Sequence, residues 1–186
     1  SMVSEETGLN DFLARRGIDV RETDLGEWIV QLAAEAPTHM VMPAIHLTRH
    51  DVAELFSEKT GKRVPEDIPS LVRIARSEMR REIFAAQAGL TGANALIAEN
   101  GAIMLLTNEG NGRLVTTVPP FHIVLTSIEK VLPAVDDAVL VLKLLPRNAT
   151  GQTITSYVSL IAGPHQGPQY IILLDNHRSD MLADPT

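Results

Sequence analysis

The sequence contains no cysteine. That absence removes disulfides, thiolate-held metals, iron–sulfur ligation and a cysteine nucleophile from the chemistry available within these 186 residues. An excess of positive charge is also lacking, since 16 Lys and Arg face 23 Asp and Glu, giving a net charge of −7 and a pI near 5.3. Such a balance opposes a phosphate backbone or an anionic membrane surface, both of which need clustered cations. Nucleic acid is therefore excluded as a partner, and a neutral, basic or protein partner is expected. No apolar run approaches the roughly 18 to 20 residues of a membrane span. The opening SMVSEETGLN lacks the basic and apolar regions of a secretion signal. The expected setting is cytoplasmic, with no membrane span.

What is present is ample apolar material. At 45% hydrophobic residues, the length fits one ordinary domain with one core. Ser4, Glu5 and Glu6 suit a helix start, with Leu9, Phe12 and Leu13 as its apolar face and Gly17 as its stop. Residues 18–21 read as a short strand, and Thr23 or Asp24 as the cap of a helix carrying Leu25, Trp28, Ile29 and Leu32, ended by Pro37. Residues 40–42 read as a buried strand. Thr48 with Asp51 is the pattern of a capping box opening a helix that Gly61 closes. Pro69 fits the first turn of a long helix through Leu71, Ile74, Ala75, Met79, Ile83 and Ala86, closed at Gly89. The opposite face of that helix holds Arg73, Arg76, Arg80, Arg81 and Glu82, a stripe read as solvated or facing an acidic partner.

The stretch 91–133 carries most of the information. Two apolar runs, 95–98 and 102–107, flank Asn100-Gly101, a dipeptide suited to a two-residue hairpin turn. Glu99 then stands at the mouth of the hairpin. A polar loop follows at 108–113, and another β-rich run passes through Phe121, Ile123, Val124 and Leu125. Beyond Pro133, residues 136–145 read as a helix broken by Pro146. Residues 154–162 and 170–174 read as two strands, and 175–186 as a polar tail or linker. Helices first and hairpins later predict an α/β fold with a mixed sheet covered by helices.

Several constellations carry chemistry. His39, His46 and His50 are close in sequence, but a cap at Thr48 puts His46 before the helix and His50 in its first turn, so no metal site is expected. His122 on a strand fits a satisfied histidine or a proton carrier. No nucleophile elbow or phosphate-binding Walker loop is present. Glu99 fits either a partly desolvated, reactive carboxylate or a turn residue accepting backbone hydrogen bonds, and Glu109 competes with it as a catalytic candidate. The glycines of Asn108, Gly110, Asn111 and Gly112 could present amides to an anion. Arg113 would attract that anion and Glu109 would repel it.

Taken together, TGANALIAENG at 91–101, TNEGNGR at 107–113, ETDLGEWIVQL at 22–32, PTHMVMPAIHL at 37–47, IEKVLP at 128–133 and LLDNHRSDMLAD at 173–184 resemble the LUD (lactate utilisation) domain, in the form found in the lactate utilisation protein B family. Where the family usually shows A-E-T-G and D-N-G-R, this chain has Ala98-Glu99-Asn100-Gly101 and Asp175-Asn176-His177-Arg178. The resemblance implies a fold similar to the NagB, ribose-5-phosphate isomerase and CoA-transferase group, with residues 1–174 as the LUD domain and 175–186 leading toward an absent iron–sulfur domain. It implies a subunit of a complex oxidising L-lactate to pyruvate, with no independent activity expected of this piece. Electrons would pass through 4Fe-4S clusters outside the piece, which itself would carry no cofactor. Implied partners are other lactate utilisation subunits, the protein's own C-terminal ferredoxin-like domain and a small anion. Asn94, Glu99, residues 108–113 and Lys130 are the loops that would hold that anion. The alternatives are a CoA-transferase-like enzyme in which Glu99 carries the acyl group, since class I members use an S-E-N-G turn, and a non-catalytic docking scaffold.

Overall fold

The computed structural model describes residues 2–39 and 42–183. They fall into two compact units, one drawn from residues 18–85 and the other from the described residues before 18 and after 85. Composition predicts one core, whereas each unit has its own buried cluster.

The chain opens with α1 (Met2–Glu6) and α2 (Leu9–Arg15). One helix was expected here, but Gly8 at φ 60° divides it. The unit Ile18–Ala85 is helical: α3 (Leu25–Ala33), α4 (Arg49–Thr60) and α5 (Ile68–Ala85). Asp24 accepts from the amides of Gly26 and Glu27, and the Thr48–Asp51 box is formed in both directions. Those caps satisfy amides that have no partner within a helix. Helix α3 ends at Ala34 in the left-handed region, before Pro37 is reached. Trp28, Ile29, Ala53, Phe56, Val64, Leu71 and Ala75 form the core, with the Trp28 and Phe56 rings 5.3 Å apart. Burial of each large side chain contributes about 1.5–3 kcal/mol.

The strand predicted at residues 18–21 does not form. The Gln31 side chain takes its place as a partner, donating to Val20 O and accepting from Glu22 N. Of the strand predicted at 40–42, Met40 and Val41 lie outside the described residues, and Met42 is exposed.

The other unit is built on two sheets. After α5 come β1 (Gly89–Thr91), β2 (Ala95–Ile97), β3 (Ala102–Thr107), α6 (Asn111–Thr117), β4 (His122–Ser127), a 3-10 turn (Ile128–Lys130), β5 (Val131–Leu132), α7 (Val135–Thr150), β6 (Tyr157–Ile161), β7 (Gln169–Leu174) and α8 (Arg178–Ala183). Gly89, expected as a helix stop, instead begins β1. An ideal Cβ there would lie 2.1 Å from Val115 O, so glycine permits β1 to lie against α6.

A three-stranded parallel sheet runs β1-β4-β7, and a four-stranded mixed sheet runs β5-β2-β3-β6. The α/β class with mixed strands and flanking helices is as expected. The last two strands are not partners, since β6 pairs antiparallel with β3 and β7 pairs parallel with β4.

Alternation along β2 and β3 divides the apolar residues cleanly. Ala95, Ile97, Ala102 and Met104 pack with Ala138 of α7, while Leu96, Ile103 and Leu105 pack with Val124 of β4. Helix α7 continues through Pro146. The proline lies in its last turns, where the missing N–H removes a single bond, and its ring is buried. Strand β7 differs from β4. Val124 and Ser127 of β4 are fully buried, whereas Tyr170, Ile171, Ile172 and Leu173 of β7 are all between 44% and 54% exposed.

Candidate functional site

Strand β3 separates the expected site residues into two groups. Its six residues span about 20 Å at 3.3 Å each. Glu99 lies before its start, while residues 108–113 follow its end. The register Ala95↔Met104 and the bond from Leu106 N to Asn94 Oδ1, 2.8 Å, place Asn94 beside the end of β3. The register Leu96↔Val131 brings Lys130 to that same end of the sheet. Asn94, Asn108, Gly110, Asn111, Gly112, Arg113 and Lys130 therefore share one sheet end, and Glu99 sits at the other.

At the Glu99 end, Ile97 pairs with Ala102 and the connection is the four residues 98–101, not the two-residue turn expected. Gly101 takes φ 69° and its amide donates to Ile97 O. Glu99 is exposed, and its Oε1 accepts from Val135 N at 3.0 Å, where helix α7 begins. The desolvation anticipated for a reactive Glu99 is not found. The carboxylate acts as a helix cap, favoured there by the positive helix end.

At the opposite end, Asn108 ties the end of β3 to the chain leading into β6. Its Oδ1 accepts from Ser156 N and Thr155 Oγ1, both at 3.1 Å, and its Nδ2 donates to Gln152 Oε1 at 3.0 Å. The loop expected over 108–113 is shorter than predicted. Gly110, at φ 75°, is the residue before α6, so Asn111, Gly112 and Arg113 form its first turn. Gly112 passes close to Thr107, where an ideal Cβ would come within 2.9 Å of the Thr107 methyl. The Arg113 guanidinium lies 4.9 Å above the Tyr157 ring, and its Nε donates to Ser159 Oγ at 3.4 Å. Tyr157 and Ser159 had no local sequence signal, because they reach Arg113 only through the β3–β6 pairing. A guanidinium held over an aromatic ring and bonded through Nε keeps its terminal N–H groups for a planar carboxylate. Glu109 and Lys130 are exposed on the surface near this end.

A second polar cluster stands at the carboxyl ends of the parallel strands. Arg178 bonds Glu6 at 2.8 Å and Glu129 at 2.8 Å, and Ser127 Oγ donates to Glu129 at 2.5 Å. The two carboxylates raise the Arg178 pKa, and Glu129 is lowered despite its desolvation by hydrogen bonds from Ser127 and Arg178. The segment expected as a featureless polar tail thus carries α8 and a fixed ion pair. Sequence patterning missed this because Arg178 and Glu6 are 172 positions apart.

His122 is buried between strands, bonded to Thr91 Oγ1 at 2.8 Å and Gln169 Nε2 at 3.1 Å. With the Gln169 amide donating to Nδ1, the neutral ring carries its proton on Nε2 and donates it to Thr91. Burial lowers its pKa. His39, His46 and His50, close in sequence, each have a partner of their own. His46 meets Glu35 at 2.6 Å, His50 meets Glu66 at 3.0 Å, and His39 accepts from Met42 N. An iron–sulfur cluster does not fit this chain, since thiolate ligands are absent from it. No helix among the described residues is long and apolar enough to cross a membrane.

Comparison with known proteins places this geometry in context. The family profile described as LUD domain matches residues 3–178. Lactate utilization protein B of Oceanobacillus iheyensis is 40% identical over 98% of the chain, and that of an Exiguobacterium species is 42% identical over the same share. An Escherichia coli protein named as the electron transport protein YkgF is 38% identical over 98% of the chain. The chain spans about 40% of the length of each of these relatives. Among solved structures, a DUF162 family protein from Deinococcus radiodurans is 20% identical, covering 81% of this chain and 94% of its own, with a TM-score of 0.41.

Proposed function

The chain belongs to the LUD domain family, and on that footing we propose that it serves as the LUD part of a lactate utilisation protein B-like subunit in a complex oxidising L-lactate to pyruvate. The reading rests on one observation, about 40% identity to proteins of that name along 98% of the chain. In this reading the electrons travel through clusters held by other parts of the complex, because this chain has no cysteine to ligate them. Its own contribution is binding. Arg113, over Tyr157 and beside Ser159, holds a small carboxylate, while Asn108 ties the end of β3, just before the helix that carries Arg113, to the chain entering β6. Other lactate utilisation subunits and a ferredoxin-like part of the same polypeptide are the proposed partners, in the cytoplasm.

The acyl-carrier alternative at Glu99 gains no support from a carboxylate that is exposed and spent on capping α7. The test is lactate-dependent reduction of a dye by the complex reassembled with full-length protein. Arg113→Ala and Tyr157→Ala are expected to slow it by about tenfold or more, the cost of about 1.4 kcal/mol of lost carboxylate binding, with assembly intact on size exclusion. Normal rates in both variants would leave only a docking scaffold. Failure of the wild-type complex to oxidise L-lactate would remove the lactate reading itself.

A further inference from the structure

Helix α5 carries an outward ridge that the reading above does not use. Val72, Arg76, Arg80 and Phe84 recur every fourth residue along it, all exposed, in a row about 18 Å long. Arg73 flanks the row. The carboxylates of the same helix are turned away and engaged, Glu78 with Arg81 and Glu82 with Lys59. Asp67, which acts electrostatically on Arg73, is occupied as an acceptor from Ser70 N. The ridge is therefore locally positive on a chain whose net charge is −7.

Two features argue for more than a solvated face. The Arg80 guanidinium lies 5.0 Å over the Phe84 ring, and Phe84 is 57% exposed, an arginine–aromatic pair of the kind that anchors protein interfaces. At its other end the row runs into an apolar groove of about 250 Å³ with Val72 and Ile68 on its wall and Phe56 and Ile29 in its lining. Arg49 stands at the groove as a further cation.

We propose that this surface, the groove continued by the Val72–Arg76–Arg80–Phe84 ridge, docks an acidic amphipathic helix of a partner protein. Apolar side chains of that helix enter the groove, and its carboxylates meet the guanidinium row. The contact is sensitive to salt, because the cations stand in water.

The probe is a labelled amphipathic helical peptide of about four turns, with leucines on one face and glutamates beside them. Its binding to the full chain is followed by fluorescence anisotropy. Binding is expected at low salt and should weaken about tenfold or more at about 300 mM salt. Arg76→Glu with Arg80→Glu should weaken it at least about tenfold at low salt, while Arg76→Lys with Arg80→Lys keeps most of it. Circular dichroism melts confirm that both double variants fold. Val72→Asn, which removes the apolar contact and adds no charge, should weaken the same peptide without altering its salt dependence. Equal binding of a lysine version of the peptide, or indifference to the double reversal, overturns the charge complementarity. Equal binding of a glutamate peptide without leucines overturns the groove. Binding of anionic phospholipid vesicles but not of the acidic peptide makes the ridge a membrane contact and overturns the proposal.

Discussion

Replacing Glu99 separates a helix cap from a reacting carboxylate. Its Oε1 accepts from Val135 N at 3.0 Å, at the start of the 16-residue helix α7. A side-chain cap contributes about 1 kcal/mol, and a negative charge at an exposed helix start adds about 0.5 kcal/mol. Glu99→Ala removes both and is expected to lower stability by about 1.5 kcal/mol, or a melting temperature by about 5 °C for a chain of this size. Glu99→Gln retains an acceptor oxygen and loses only the charge, so its expected effect is about 0.5 kcal/mol, fading in 1 M salt as the dipole term is screened. Urea unfolding at low and high salt measures both. A wild-type melt in Glu99→Ala would refute the cap. A wild-type melt in Glu99→Gln, combined with lost activity in the reassembled complex and labelling of the wild type by an acyl-CoA, would restore the carboxylate as a nucleophile.

Further outcomes follow from other sites. Gly89→Ala should destabilise by about 2–3 kcal/mol in a urea melt, the overpacking range, since its Cβ would meet Val115 O, a backbone atom, at 2.1 Å. For His122, burial sets the folded pKa below the ordinary 6.5. The unfolded chain therefore takes up the proton first, and this contribution to stability is complete above pH 6.5 and is lost as pH falls below it. His122→Gln should flatten that part of the pH–stability curve, and an unchanged slope between wild type and variant would count against the buried neutral ring. Glu27 is pushed up to about 8 from 4.5, chiefly by burial and then by Glu22 and Asp24. Here the folded state holds the proton, so stability falls as pH rises from 4.5 toward 8. Discounted for its partial exposure, the loss is about 2 kcal/mol, and Glu27→Gln should melt higher than wild type at pH 9.

Local chemistry was legible in the sequence and long-range pairing was not. The caps at Asp24 and Thr48, the stop at Gly61 and the helix opening around Pro69 follow from interactions within a few residues, and all are formed. The strand predicted at 18–21 failed because strand patterning does not supply a neighbour, and Gln31 answered its polar groups instead. Pro146 was overridden by tertiary packing of α7 against β2. At the candidate site, Asn108 and Arg113 were visible as polar residues in a glycine-rich stretch. Tyr157, Ser159 and Thr155 joined them through the β3–β6 ladder, whose register no local pattern encodes. The same ladder shows why Glu99 and Arg113 cannot share a small ligand, since they flank opposite ends of one strand.

Strand β7 has a bearing on how the protein behaves in concentrated solution. Gln169–Leu174 contains no charged residue and no proline, two of the devices that blunt an open strand edge. Among the described residues it pairs with β4 alone, and its side chains stand half-clear of both faces. Such a strand is a template for stacking copies into cross-β aggregates. Turbidity on concentration or warming should begin at β7, well before the helical unit melts. A single lysine at Ile171 would act as a gatekeeper there and keep the chain dispersed.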